Sequence, residues 1–353
     1  MISDDTDEGG RKISDSRTIS GAEVIVAKTK IRHDWTQEEI HQIYHLPLLE
    51  LVFKAATVHR EYFDGSDIQM NHLFSVKTGG CPEDCGYCPQ SARYNTGVKR
   101  QKMADLSDVL EDAKKARDAG CSRMCLGAAW REVKDDRQFE QVLEMVREIS
   151  AMGMEVCCTL GMLNEDQARR LKEAGLYAYN HNIDTSEEYY GEVIGTRNYQ
   201  DRLRTLDHVR SANLSVCCGG IIGLGESEDD RVRMLLTLSQ LNPHPESVPV
   251  NTLVAVPGTP LGDKEQVDIW QLVRMIATTR IVLPSSRVRL SAGRRGRSFQ
   301  DHALCFLAGA NSIFVGEKLL TTPLPSADDD FKMMEMLGLR ATKPVENGQG
   351  YAH

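Results

Sequence analysis

The chain has no apolar run approaching the ~20 residues that a membrane-spanning helix needs. Its first residues, MISDDTDEGG, are acidic. They lack the apolar core of a secretory signal and the arginine-rich, acid-poor make-up of a transit peptide. Absence of both sets a cytoplasmic location as the expectation, with no membrane partner. An excess of positive charge is missing too. The net charge is −9, which withholds support from a nucleic-acid partner. No G-x-G-x-x-G follows the first strand-like run. GLGESE at 223–228 has the first two glycines but Glu228 in the third place, which weakens a dinucleotide-binding, doubly wound sheet. Cysteine is absent before Cys81 and after Cys305.

Between those limits lie ten cysteines, in a chain with 41% hydrophobic and 26% charged residues, the composition of a soluble globular protein. A reducing compartment argues against disulfides, so position matters more than number. Cys81, Cys85 and Cys88 share one stretch, CPEDCGYCPQ, spaced C-x3-C-x2-C. The others are scattered, and four of them form the pairs Cys157–Cys158 and Cys217–Cys218 inside apolar, strand-like runs.

Residues 1–34 and 341–353 are polar and aperiodic, and are expected to be flexible ends flanking a 35–340 domain. Within it, eight β-rich runs stand at 71–79, 122–128, 154–161, 177–184, 214–224, 247–256, 288–293 and 312–320. Helical patterns fill the gaps. Leu106, Val109, Leu110 and Ala113 fall at i, i+3, i+4 and i+7, with Gly120 at the capping position. Thr36 followed by Glu39 predicts a capping box opening a helix that runs to about residue 59. Regular alternation implies parallel βαβ units, and eight of them imply a (β/α)8 TIM-type barrel with an extra N-terminal helix.

In such a barrel the three-cysteine loop, directly after the first strand, lies on the C-terminal face where active sites are built. Thiolates select zinc or iron–sulfur. Both ordinarily take four protein ligands. Either a distant residue completes a structural zinc site, or the fourth position is kept for a small molecule.

Side chains alternate along a strand. Val156, Cys158 and Leu160 form one apolar set; Leu214, Val216 and Cys218 form another; Met124 and Leu126 a third. Those sets suit the helix-facing side. Cys125, Cys157 and Cys217 then point into the barrel, one per strand, and can hold a second cluster; ordinary buried free cysteine is the plainer reading. Val288 and Leu290 face out, so Arg289 faces in. A buried arginine needs an anionic partner, and having no lone pair it reads as a counter-ion. In YAYNHNID, Asn180, Asn182 and Asp184 share one face, with His181 alternating away. Asn251 also projects inward. These are costly unless they bind something or satisfy one another. Arg202, on a helix, meets either a carboxylate or solvent. His302 and Cys305 read as core, and Asp328–Asp330 as solvated surface.

The pattern C-x3-C-x-aromatic-C, with Tyr87 before the last cysteine, resembles the radical S-adenosylmethionine signature. CLGAAW, CTLG, YNHNIDT, GGIIGLGE, VRLSAGR and AGANSIFVGEKLLTTP extend the resemblance to the biotin synthase family over about residues 40–340. The resemblance implies a [4Fe–4S] cluster on Cys81, Cys85 and Cys88, with S-adenosylmethionine on its open iron and Tyr87 near the adenine. It implies conversion of dethiobiotin to biotin: 5′-deoxyadenosyl radicals break two C–H bonds and sulfur is inserted. It carries a [2Fe–2S] cluster, the sulfur source, to Cys125, Cys157, Cys217 and Arg289; ligation by Arg289 rests on the resemblance alone. Asn182, Asp184 and Arg202 look like cofactor contacts, and Asn180, Asn182 and Asn251 like substrate contacts. An electron donor such as flavodoxin or ferredoxin, and a homodimer, are implied as well. Two other readings stand beside this. Lipoyl synthase places auxiliary cysteines upstream of the radical motif, where this chain has none. A non-catalytic zinc or electron-transfer protein is the reading from a different class.

Overall fold

A computed structural model describes residues 28–344. The strands are β1 (Asp67–Lys77), β2 (Arg123–Ala128), β3 (Glu155–Thr159), β4 (Ala178–Asn180), β5 (Ser215–Cys217), β6 (Gly220–Ile222), β7 (Ser247–Thr252), β8 (Arg287–Leu290), β9 (Ser312–Phe314), β10 (Lys318–Leu319), β11 (Thr322–Pro323) and β12 (Arg340–Ala341). The helices are α1 (Gln37–Tyr44), α2 (Leu48–Tyr62), α3 (Leu106–Asp118), α4 (Arg137–Ala151), α5 (Glu165–Glu173), α6 (Glu187–Val193), α7 (Tyr199–Ser211), α8 (Glu228–Gln240), α9 (Ile269–Val282), α10 (Phe299–Leu307) and α11 (Ala327–Leu337).

Parallel pairing runs β1-β2-β3-β4-β5-β7-β8-β9, and β9 pairs back onto β1. That closure makes the expected barrel and excludes the doubly wound sheet. The fifth stave is interrupted: β5 and β6 both pair with β7. Gly219 lies at the break, where a Cβ would collide with Pro249 O, so only glycine allows the two chains to approach this closely.

Local chemistry explains the helix starts. Thr36 and Glu39 form the predicted capping box. The helix it opens stops at Tyr44 rather than near residue 59, because Pro47 has no N–H to donate and its ring would meet the carbonyl of Ile43; α2 begins after it. Asp136 caps α4 by accepting from the Gln138 and Phe139 N–H groups. The 312–320 run also divides. Only β9 is a stave, while β10 and β11 form a small antiparallel hairpin.

Residues 28–34, expected to be loose, are held: the Thr29 N–H donates to Glu61 and Arg32 pairs with Asp34 and Glu39. Residues 1–27 and 345–353 lie outside the described residues. Of the acidic run, Asp328 and Asp329 are exposed as expected, but Asp330 is buried against the Arg294 guanidinium. Among the described residues no helix is long and apolar enough to cross a membrane.

The main apolar core lies between strands and helices and contains Met124, Leu126, Val156, Cys158, Leu160, Leu214, Val216, Cys218, Val288 and Leu290. A separate cluster inside the barrel contains Cys125, Cys157, Cys217, Ala178, Phe314 and Leu324.

Candidate metal centre

The three-cysteine loop leaves β1 on the C-terminal face and is fixed by its own acids. Asp84 Oδ1 accepts the N–H groups of Gly195 and Thr196, both at 3.0 Å, and the Thr196 hydroxyl at 2.8 Å. Glu83 is buried and accepts from Arg131 Nη1 at 2.7 Å and from the Thr196 hydroxyl. Thus the loop between α6 and α7 clamps the cysteine loop. Arg197, in the same connection, brings Nη2 to 3.9 Å from Cys85 Sγ. None of these partners was foreseen. The available signal was a pair of acids inside C-x3-C, which burial obliges to find donors.

Burial pushes the Cys85 thiol up to about 11, with Arg202 and Arg197 opposing the rise, and pushes the Cys88 thiol up to about 12. As free thiols both hold their protons at neutral pH, so a metal group must displace them on binding.

Above the barrel a cavity of ≈ 310 Å³ is lined by Cys81, Cys85, Cys88, Tyr87, Asn180, Asn182, Asp184, Arg202 and Asn251, and more deeply by Cys125, Cys157 and Arg289. Of the sequence-predicted site residues, only Cys217 stands behind this lining. It is joined to it by Asn180 Nδ2 at 3.2 Å and Arg289 Nη1 at 3.5 Å.

The inner cysteines meet by register. Leu73 pairs with Cys125, Cys125 with Cys157, and Asn180 with Cys217. Hydrogen bonding from Cys125, then burial, raises the Cys157 thiol; bonding from Cys157, then burial, raises Cys217. Arg289 is 1% exposed. Besides Cys217 it donates to neutral oxygens: Ser312 Oγ at 3.0 Å, Asn71 Oδ1 at 3.1 Å and Gln69 Oε1 at 3.3 Å. Its guanidinium also lies over the Phe314 ring at 5.1 Å, and its charge helps hold the buried Glu246 carboxyl down. Below, Arg123 is fully buried with Glu155 at 2.8 Å and both Glu246 oxygens at 2.9 and 3.1 Å. Arg123 stands two residues before Cys125 on β2, on the same face, and Glu155 is its register partner on β3.

The polar strand departs from simple alternation. β4 ends at Asn180, and Asp184 has φ 69°, so parity does not extend to residue 184. The His181 ring lies beside that of Tyr179, on the side of the main core, with centroids 6.4 Å apart; burial, then Arg202 and Arg197, push it well below the ordinary histidine range. Asp184 is ion-paired with Arg202, whose Nε donates to Tyr190 at 2.9 Å, and both side chains are buried. Arg202 thus meets a carboxylate rather than solvent. Asn180 and Asn182 are bonded to one another at 3.2 Å, and Asn182 Oδ1 also takes the Gly219 N–H. Asn251 bridges Gly220 O and the Ala292 N–H, each at 3.0 Å. Much of the polar layer satisfies itself while facing the cavity.

Both donor sets are thiols in threes, the soft ligands that zinc and iron–sulfur clusters alike take. Among the described residues no three cysteine, histidine, aspartate or glutamate side chains are gathered closely enough to hold one metal ion as they stand. A cluster spreads its thiolates over several irons.

A model of the radical SAM superfamily matches residues 75–238, and one of the Biotin and Thiamin Synthesis associated domain matches residues 249–340. Biotin synthase of Flavobacterium johnsoniae is 60% identical over 313 residues, covering 89% of this chain and 86% of that protein. Biotin synthase of Cytophaga hutchinsonii is 58% identical, covering 91% and 95%. Mitochondrial biotin synthase of Arabidopsis thaliana is 57% identical, covering 89% and 83%. Among solved structures, methylornithine synthase superposes with a TM-score of 0.73 at 18% identity, covering 88% of this chain and 94% of that one, a likeness of fold alone. With relatives this similar over nearly the whole described barrel, the chain belongs to the biotin synthase family.

Proposed function

We propose that this protein makes biotin from dethiobiotin by radical insertion of sulfur, the last step of biotin biosynthesis. The observation that carries the reading is one cavity lined by the three-cysteine loop and by Cys125 and Cys157, with Cys217 clustered directly behind them. Cys81, Cys85 and Cys88 would hold a [4Fe–4S] cluster with one iron left for S-adenosylmethionine. Cys125, Cys157 and Cys217, with Arg289 beside them, would hold a [2Fe–2S] cluster. When bound, these groups supply the electron that cleaves S-adenosylmethionine to a hydrogen-abstracting radical, and the sulfur that is inserted.

The residues of the chain position and shield this chemistry. Tyr87, Asn182, Asp184 and Arg202 are assigned to S-adenosylmethionine, the Asp184–Arg202 pair presenting both charges to a zwitterionic ligand. Asn180, Asn182 and Asn251 offer amide donors and acceptors that match the urea-like ring of dethiobiotin. Burial of the inner cysteines, each no more than 3% exposed, excludes water. Arg289 would balance the charge of Cys217 once that sulfur ligates a cluster. Residues 35–340 are assigned as the working unit. A reduced flavodoxin or ferredoxin, a homodimer and the cytoplasm complete the reading; all ten cysteines are free, which suits a reducing compartment.

Protein purified and reconstituted without oxygen should convert dethiobiotin to biotin with S-adenosylmethionine and a reductant, releasing 5′-deoxyadenosine. Cys81→Ala should release none. Zinc as the sole bound metal, or undiminished 5′-deoxyadenosine from the variant, would overturn the reading.

A further inference from the structure

From Gly86 to Ala104 the chain has Arg93, Lys99, Arg100 and Lys102 and no aspartate or glutamate, although its net charge is −9. All four basic residues are exposed. Among the described residues, Lys99, Arg100 and Lys102 have no acidic side chain within ion-pair distance, whereas many exposed arginines elsewhere, such as Arg117, Arg169 and Arg340, do. A run of like charge is ordinarily a solvated face. This one is set apart by where it is anchored.

The segment is bonded along the three-cysteine loop. The Ala92 N–H donates to Cys81 O at 2.7 Å, Arg93 Nε to Pro82 O at 3.1 Å, and the Gln101 N–H to Thr78 O at 2.9 Å. A Cβ at Gly79 would stand 3.0 Å from Lys99 O, and one at Gly80 2.9 Å from Arg100 Cδ. Lys99 and Arg100 therefore lie directly on the two residues that precede Cys81. Three exposed cations without an ion-pair partner, on a stretch free of acids, thus form the outer wall of the loop that must be reduced.

Within that loop Cys85 is only 6% exposed, and Cys81 and Cys88 are half-buried. Electron transfer falls steeply with distance, so a protein donor must dock close to it. Redox encounters use small interfaces, formed quickly by complementary charge. We propose that the segment 91–104, with Lys99, Arg100 and Lys102 as its charged rim, is the docking site for a small acidic one-electron carrier protein. The proposal rests on the functional reading above. In the step it serves, one electron leaves the carrier's reduced flavin or iron–sulfur centre, which is oxidised by one unit. The loop's cluster is reduced by one unit, and no bond is made and no proton moves.

The test uses anaerobically reconstituted protein in three forms: wild type, Lys99→Glu/Lys102→Glu, and Lys172→Glu near the end of α5 as a control. Each is reduced by flavodoxin hydroquinone, an acidic protein, and by photoreduced 5-deazariboflavin, an uncharged small reductant. Cluster bleaching gives the rates, and flavin fluorescence gives flavodoxin affinity. The double variant should lose about tenfold or more in flavodoxin rate and affinity at low salt, and the deficit should shrink as salt screens the charges. Its deazariboflavin rate and both rates of the control should match wild type. Undiminished flavodoxin reduction in the double variant would overturn the proposal. So would equal slowing with both reductants, which would make the segment a prop of the cluster. Binding to phosphatidylglycerol vesicles with no affinity for flavodoxin would overturn it in favour of a lipid surface. Wild-type protein that takes no electron from deazariboflavin would overturn the functional reading, and the docking site with it.

Discussion

Cys157 and Cys158 are consecutive in β3 and lie on opposite sides of the barrel wall: Cys157 joins Cys125 and Cys217 inside, while Cys158 packs with Val156 and Leu160 against the helices. Cys217 and Cys218 repeat the arrangement at the end of β5. Cys157→Ser and Cys217→Ser should therefore lose the second cluster while keeping the first. Cys158→Ala and Cys218→Ala should keep both, at a packing cost on the order of 1 kcal/mol. Iron and sulfide counts with absorbance spectra of the reconstituted variants decide. An empty inner site in Cys158→Ala or Cys218→Ala would show the assigned faces to be wrong.

The Asp184–Arg202 pair is buried, and removing one partner leaves the other charge uncompensated. Asp184→Ala and Arg202→Ala should each lose about 3–5 kcal/mol of stability, and the double variant much less than their sum. Affinity for S-adenosylmethionine should fall roughly tenfold or more in each single variant, since an unpaired polar contact is worth about 1–3 kcal/mol. Denaturant unfolding and ligand titration measure both; strictly additive losses would mean the pair is not coupled.

Asp84 accepts three donors from Gly195 and Thr196. Asp84→Ala should leave the barrel folded but free the cysteine loop. By analogy with the supporting partners of other metal sites, about 10–100-fold in metal retention is at stake. Iron loss to a chelator should be correspondingly faster, with an unchanged circular dichroism spectrum. A wild-type rate of loss would remove the clamp from the site's design.

Two buried histidines predict acid sensitivity. Burial, then Arg280, lowers His59 to about 3; burial, then Arg294, lowers His302 to about 4. Both folded values lie below the unfolded value of about 6.5. The folded state thus binds fewer protons, and its stability is intact above that value and is lost as pH falls toward 4. At about 1.4 kcal/mol per unit, each contributes a loss of roughly 3 kcal/mol by pH 4. His59→Gln should flatten the fall in urea midpoint between pH 6.5 and 4, and an unchanged slope would exclude His59 as a cause.

Strand parity was informative wherever the strand is regular. It sorted Cys125 from Met124, Cys157 from Cys158 and Cys217 from Cys218, because those residues lie in β2, in β3 and at the last position of β5. It does not reach Asp184, because regular pairing stops at Asn180 and Asp184 adopts a left-handed conformation. Partners remote in sequence left no local pattern. Asp84 and Thr196 are 112 positions apart, and Glu83 is 48 from Arg131 and 113 from Thr196. Asp330 looked solvated because two exposed aspartates precede it, and its partner Arg294 lies in a loop with no periodicity to reveal its direction.

The ion group of Arg123, Glu155 and Glu246 closes the barrel beneath the inner cysteines. The space that Cys125 and Cys157 line is continuous with the space lined by Asn182, Asp184 and Arg202. Were the inner cysteines to hold a cluster, iron and sulfide passing along that lining would cross the ground assigned to a small-molecule ligand, and refilling would take turns with catalysis.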